Sequence, residues 1–219
     1  MTIDSKKKTR SLVYADAVKE EILNSPKLFV NDDDVTSVLF EKALDLQFSG
    51  YSIADCLIFS EQKGIIGIEI KTAHDSKTRL RRQLGYYSNV CDYVWVFIHD
   101  TIFPEVADIL EDFYYVGIIC YQETENAIYP GIIRQAIHNP QVKLKSALSI
   151  LWSVELWELI KKVNPKHPYK YQLKYQWQRI DYLLKQDPER VKQFYIEMFT
   201  RDGLNPDRGF SIYDFRRKS

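Results

Sequence analysis

The sequence lacks the features that mark membrane and secreted proteins. No apolar run approaches the roughly 20 residues that a membrane-spanning helix needs. The basic N-terminus lacks the apolar core, roughly 7–15 residues long, of a signal peptide. Its three cysteines, Cys56, Cys91 and Cys120, are an odd and dispersed set that does not suggest a disulfide framework. We therefore expect free thiols, a cytoplasmic location and no association with a membrane.

Several motifs that would identify a cofactor are also missing. The chain has no G-x-x-x-x-G-K-[ST] phosphate loop, no G-x-G-x-x-G fingerprint, no G-x-S-x-G elbow and no cysteine pair. ATPase, dinucleotide-binding, α/β-hydrolase and zinc-binding functions are therefore without support, and we expect no nucleotide cofactor. The net charge is zero, so the chain as a whole is not a polycation that attracts nucleic acid unaided.

The size and composition that remain are those of an ordinary globular protein. With 219 residues, 45% of them hydrophobic, we expect one large domain, or one domain with an appendage. Residue periodicity predicts a helix over residues 11–24, and strands over 51–59, 65–71, 93–99, 115–121 and 127–133. Helices are predicted after Asp75-Ser76 and over 104–113. The segment 35–46 fits either a strand or a helix.

From residue 143 onward the pattern is helical, with one amphipathic helix predicted over residues 146–163. The order of elements predicts an α/β fold. Its core, over residues 10–142, is a mixed sheet with an antiparallel meander flanked by helices. A helical extension or cap over residues 143–219 packs on this core.

Two carboxylates are expected to face each other in the predicted hairpin. If the hairpin turns at Gln62, Asp55 lies opposite Glu69, and strand alternation puts Lys71 on the same face. Opposed residues have Cβ atoms about 5 Å apart, so the two carboxylates repel each other unless a cation such as Mg²⁺ or Mn²⁺ lies between them. Glu69 also lies in the apolar run GIIGIEIK, where a charge needs compensation. The alternative is a pair of ordinary salt bridges at the strand ends.

The segment ADCLIFSEQKGIIGIEIK, with the helix that follows it, resembles the PD-(D/E)XK nuclease superfamily. The resemblance implies a restriction-endonuclease-like core and cleavage of DNA with Mg²⁺ or Mn²⁺. The superfamily's Asp and Glu-x-Lys triad falls on Asp55, Glu69 and Lys71, although Ala54 replaces its proline. Its glutamine from the second core helix falls on Gln83. The Ile70 carbonyl is a further candidate ligand, and Glu20, Glu21 and Glu41 are candidates for a third carboxylate.

More narrowly, the sequence is similar to a small family of uncharacterised bacterial and phage proteins within that superfamily. The features that match are EIKTAHDSKTRLRRQLGYY and the helix LSILWSVELWELI. The resemblance covers roughly residues 10–163.

Two basic segments are candidates for contact with DNA. The first opens the helix after Lys71, and no acidic residue lies between Ser76 and Cys91. The second, residues 161–179, carries only basic charges interleaved with tyrosine and tryptophan, a mixture that suits phosphates and bases. A solvated helix face and a structural cap are the respective alternatives. The candidate residues are Lys77, Arg79, Arg81 and Arg82 in the first segment, and Lys170, Lys174 and Arg179 in the second.

Together these features favour metal-dependent hydrolysis of phosphodiester bonds in DNA. Asp55 and Glu69 would be the metal ligands, Lys71 would position or activate the attacking water, and Gln83 would help to orient it. The alternative is a non-catalytic protein of the same fold that binds DNA or another protein. An RNase and a homodimer also remain open.

Overall fold

A computed structural model describes residues 15–45, 51–124, 127–166, 173–201 and 212–213 of the chain. The helices are α1 (Ala15–Asn24), α2 (Leu80–Val90), α3 (Phe103–Asp112), α4 (Leu144–Ser149), α5 (Ser153–Val163), α6 (Gln176–Leu183) and α7 (Pro188–Thr200). The strands are β1 (Thr36–Asp45), β2 (Tyr51–Ser60), β3 (Gly64–Lys71), β4 (Tyr93–His99), β5 (Gly117–Glu123), β6 (Ile128–Arg134) and β7 (Ile212–Tyr213). No helix within the described ranges is long and apolar enough to cross a membrane.

The strands form one mixed sheet in the order β6-β5-β4-β3-β2-β1-β7. Strands β1, β2 and β3 are an antiparallel meander. Strands β3, β4 and β5 are parallel, and β6 returns antiparallel beside β5. Helices flank the sheet, and the C-terminal region is helical, so the predicted fold class is confirmed. The ambiguous segment 35–46 is the strand β1.

The β2–β3 hairpin has the predicted register. Ser60 pairs with Gly64, and Cys56 pairs with Ile68, the last pair before Asp55 and Glu69. Gly64 has a φ of +82°, and a Cβ on it would lie 2.4 Å from a carboxylate oxygen of Asp92. Both the turn conformation and this close approach therefore require glycine.

The two faces of the sheet are covered differently. Val18 and Ile22 of α1 pack in one hydrophobic cluster with Ile66, Ile68 and Ile70, as strand alternation predicts. The opposite face packs against α2, α3 and α4–α7 in a larger cluster. In that cluster the ring of Phe59 on β2 stacks on Phe199 of α7 with centroids 3.8 Å apart. The C-terminal helices therefore share a hydrophobic core with the sheet.

The single helix predicted over residues 146–163 is wrong, because residues 150–152 separate α4 from α5. Trp152 has an extended backbone, and its N–H donates to the carboxylate of Glu155, which caps the start of α5. The carbonyl of Leu151 accepts a hydrogen bond from Gln176 instead of continuing a helix. Both contacts offer the backbone groups at the break an alternative to helical bonding.

Candidate active site

A buried hydrogen-bonded chain joins strand β3 to helix α2. The Lys71 ammonium donates to Glu69 Oε1 at 2.6 Å and to Gln83 Oε1 at 3.0 Å. The Glu69 side chain is fully buried, and the Lys71 side chain is 3% exposed. The structure thus brings together three of the residues predicted from the sequence, in the order Glu69, Lys71, Gln83.

Asp55 reaches the same place from strand β2. Its Oδ2 accepts a hydrogen bond from the backbone N–H of Ile70, between Glu69 and Lys71, at 2.8 Å. The backbone N–H of Asp55 donates to the Tyr87 hydroxyl at 2.8 Å, and that hydroxyl donates to the Ile68 carbonyl at 3.1 Å. Tyr87 therefore fixes the point beyond which the two strands no longer pair.

Gly67 allows Tyr87 to occupy this position. A Cβ on Gly67 would lie 2.3 Å from Cδ1 of the Tyr87 ring, so only a glycine lets the ring lie against strand β3. The sequence analysis did not identify Tyr87 as a site residue. Its spacing on α2 indicates core packing, which the structure shows as well, since the ring is fully buried.

The electrostatics of the two carboxylates disfavour their charged forms. The pKa of Glu69 is raised to about 7, first by burial and second by the charge of Asp55, against the opposing effects of Lys71 and the Tyr87 hydroxyl. Burial also raises the pKa of Asp55, against the opposing effects of the Ile70 N–H and Lys71. Glu69 Oε2 is buried and has no hydrogen-bond partner among the described residues. A second positive charge beside the pair would relieve each of these costs.

These residues fit a hard divalent cation through their donor chemistry. Two carboxylates and a nearby backbone carbonyl, that of Ile70, are oxygen donors of the type that Mg²⁺ and Mn²⁺ prefer. The orphaned Glu69 Oε2 is a donor atom that the protein itself leaves unused. In the described part of the chain, no group of three or more His, Cys, Asp or Glu side chains is arranged to hold a metal ion.

None of the described candidates for a third carboxylate forms a metal-binding group with Asp55 and Glu69. Glu20 is exposed on α1, and Glu21 accepts a hydrogen bond from the Ser25 hydroxyl at 2.6 Å. Glu41 accepts one from Lys19 at 2.6 Å.

Glu41 nevertheless marks a strained point beside the site. Its φ is +56°, a left-handed conformation that is costly for a side chain with a Cβ. Glu41 lies between the pairs Phe40–Cys56 and Lys42–Ala54, so it is opposite Asp55 on the neighbouring strand. Its partner Lys19 lowers the pKa of Asp55 through its charge. The sequence analysis missed Lys19, because a contact between α1 and β1 leaves no local signal in the sequence.

The basic segment after Lys71 lies on the surface, and half of its charges are paired. Lys77 contacts Glu105 at 3.1 Å, and Arg81 contacts Asp112 at 2.6 Å, so α3 supplies both partners. Arg79 and Arg82 are exposed and form no ion pair with any other described residue.

The second basic segment divides into residues with different environments. Lys170 lies outside the described residues. Lys174 is at the surface, with its ammonium 5.6 Å from the centroid of the Tyr175 ring. Arg179 is buried, and its guanidinium donates to the carbonyls of Leu173 and Ser153, both at 2.9 Å. The structure thus uses Arg179 to hold α6 against the start of α5 rather than presenting it to a ligand.

Fold and site together define a mixed α/β protein with a buried carboxylate, lysine and glutamine cluster at the end of an antiparallel meander. The family of bacteriophage P4 protein cII matches residues 12–202. The chain belongs to this phage protein family. Comparisons with curated proteins and with solved structures found no match.

Proposed function

We propose that this protein is a metal-dependent nuclease of the PD-(D/E)XK type that hydrolyses phosphodiester bonds in DNA. The observation that supports the proposal is the buried contact of Lys71 with Glu69 and Gln83. The Asp55 carboxylate lies beside it and accepts a hydrogen bond from the backbone of β3. A fully buried glutamate with an unsatisfied oxygen is costly for a structural role alone. Perturbed carboxylates of this kind are typical of functional sites.

Each residue has a role that follows from its contacts. Asp55 and Glu69 would hold Mg²⁺ or Mn²⁺, with the Ile70 carbonyl as a further ligand. When bound, the cation would stabilise the charge that develops on the scissile phosphate. The Lys71 ammonium would orient the attacking water and stabilise negative charge. Gln83 accepts a hydrogen bond from that ammonium and so keeps it from turning away.

The Glu69 pKa gives this proposal a pH signature. Because Glu69 must be ionised to bind a cation, and because its pKa is raised to about 7, cation affinity and cleavage should both increase as the pH rises through about 7. Cation binding should also release a proton below this pH.

The experiment compares three proteins by Mn²⁺ calorimetry and by nicking of a plasmid with Mg²⁺ or Mn²⁺. Wild type should bind Mn²⁺ and nick the plasmid, and Asp55→Ala should do neither. Asp108→Ala is the matched control, because Asp108 is an exposed aspartate on α3, a helix that carries none of the cluster residues, and it should behave as wild type. A wild-type protein that binds no Mn²⁺ and nicks nothing refutes the proposal. An RNA panel run in parallel distinguishes an RNase.

A non-catalytic binding protein is the second candidate, and the edge strand β6 favours it. Tyr129 and Ile133 on this strand are each 59% exposed, and Ile132 is 40% exposed. Exposed apolar side chains on an open sheet edge suit contact with another protein. This candidate requires no metal, so it predicts the result that refutes the nuclease.

A further inference from the structure

Three large aromatic rings are exposed together where α5 and α6 begin. Trp152, Tyr175 and Trp177 are 42%, 53% and 55% exposed. The rings of Tyr175 and Trp177 are parallel to within 7°, with centroids 6.4 Å apart. The Lys174 ammonium lies over the Tyr175 ring. Clustered exposed aromatics are uncommon on soluble proteins and mark interaction sites.

The rings belong to one continuous surface, because hydrogen bonds tie the two helix starts together. Gln176, between Tyr175 and Trp177, donates to the carbonyl of Leu151 at 3.0 Å, directly before Trp152. Arg179 donates to the Ser153 carbonyl at 2.9 Å, directly after it. These part-buried polar contacts therefore hold the two helix starts that carry the rings beside each other.

This aromatic surface begins close to the candidate active site. The Lys42 ammonium lies 5.2 Å from the centroid of the Trp152 ring. Lys42 pairs in the sheet with Ala54, the residue before Asp55. The Lys42 side chain thus reaches from the β1 residue that pairs next to Asp55 toward the first exposed ring.

We infer that this aromatic surface binds single-stranded DNA by base stacking. The inference deepens the proposed function and rests on it, since it names the form of DNA that reaches the site. Lys174 is exposed beside these rings, and its positive charge complements a phosphate backbone. Aromatic rings stack on bases whose faces are exposed, as they are in a single strand. In a duplex the faces are covered by neighbouring base pairs.

The test measures binding by the full chain without divalent metal, so that no cleavage occurs. The probes are a labelled oligothymidylate of about 20 nucleotides and a labelled duplex of equal length. Fluorescence anisotropy at the same salt concentration measures the affinity of the protein for each probe. Trp177→Ala and Tyr175→Ala should each weaken single-strand binding about tenfold and duplex binding less than about twofold. Tyr114→Ala is the matched control, because Tyr114 is a 60% exposed tyrosine in the segment after α3, and it should leave both affinities unchanged. Saturable quenching of tryptophan fluorescence by the single strand, reduced in Trp177→Ala, supports stacking.

Two results overturn the inference. The first is that Trp177→Ala and Tyr175→Ala bind the single strand as tightly as wild type, or that they lose the same affinity for the single strand and for the duplex. The other is a change in self-association by sedimentation without a change in DNA affinity, which makes the surface a protein contact. Failure of this inference is separable from failure of the proposed function. Wild-type nicking with unaltered single-strand binding by the variants refutes only the stacking surface, whereas stacking without nicking refutes only the hydrolysis.

Discussion

Glu69 shows at the scale of one residue how a sequence anomaly and a structural anomaly coincide. In the sequence it is a charge in an apolar run. In the structure it is fully buried, paired through Oε1 with Lys71, and left with Oε2 unsatisfied. A buried ion pair at this position contributes little to the stability of the fold, since desolvation of the two charges cancels much of their attraction. Function explains the residue better than stability does.

Substitution of Glu69 and Lys71 separates metal binding from catalysis. Glu69→Gln should lose Mn²⁺ binding and plasmid nicking together, because a neutral amide is a poor ligand for a hard cation. Lys71→Ala should keep Mn²⁺ binding and lose nicking by about two to four orders of magnitude, if the lysine acts on the attacking water. Calorimetry and nicking assays on the two variants measure both effects.

If Lys71 only neutralises the carboxylates, its removal should lower the melting temperature without affecting any activity. Lys71→Met, which keeps most of the buried volume, serves as the second variant in case the alanine variant does not fold. Normal nicking by a folded Lys71→Met protein would contradict the assigned role.

The raised pKa of Glu69 also predicts how stability depends on pH. Since the folded-state pKa is about 7, above the usual value for glutamate, the folded protein binds the extra proton between about pH 4.5 and 7. Stability therefore falls as the pH rises through this window and levels off above it. The loss should be about 2–4 kcal/mol relative to Glu69→Gln, which has no proton to release. Thermal melts of both proteins between about pH 5 and 9, without metal, measure the difference. A constant difference across that range would contradict the prediction.

At the scale of elements, the site depends on how α2 packs on the meander. The Tyr87 hydroxyl connects Asp55 of β2 with Ile68 of β3, and Gly67 makes room for its ring. The helix thus sets the position of a candidate ligand through a backbone contact. Tyr87 is a positioning residue in this arrangement, since its hydroxyl bonds the backbone of Asp55 and Ile68 and also opposes the rise in the pKa of Glu69.

Tyr87→Phe tests this positioning role. Removal of the hydroxyl leaves the Asp55 N–H without its partner and should lower the free energy of unfolding by about 1–2 kcal/mol. It should also weaken Mn²⁺ binding, because the Asp55 carboxylate is held less firmly. Tyr115→Phe is the matched control, since Tyr115 is also fully buried and donates to the Ser88 hydroxyl at 2.7 Å. The control should lose similar stability and keep its Mn²⁺ affinity. Equal Mn²⁺ affinity in both variants would make Tyr87 a purely structural residue.

The same elements show what the sequence could and could not predict. The hairpin register was predictable because strand alternation and a polar turn determine it, and Gln83 could be placed from the family resemblance. The break between α4 and α5 was not predictable from local pattern, because a glutamine from α6 bonds the Leu151 carbonyl there. The same applies to Arg179, whose partners Ser153 and Leu173 become known only when α5 and α6 pack together. Long-range contacts decided every such case.

At the scale of the whole molecule, the two faces of the sheet are covered by different helices, and the basic residues are unevenly distributed over the surface. The face covered by α2 and α4–α7 carries Glu69 and Lys71 and leads, through Lys42, to the aromatic surface at the start of α5 and α6. The first basic segment covers a short 3-10 helix, Lys77–Arg79, and the first turn of α2, the helix that also carries Gln83. A neutral protein can therefore present local positive charge close to one site, which net charge alone does not reveal.

The salt dependence of duplex binding tests whether this charge contacts phosphates. Each phosphate contact adds about 0.9 to the slope of log affinity against log salt concentration. Replacing both Arg79 and Arg82 by glutamine should therefore flatten the slope by about 1.8, since neither guanidinium forms an ion pair with a described residue. Replacing Lys77 and Arg81 is the matched control. It should flatten the slope less, because Glu105 and Asp112 already offset those charges. Affinities measured by anisotropy between about 50 and 300 mM salt give both slopes. Slopes equal to wild type in both double variants would make the start of α2 a solvated surface with no part in DNA binding.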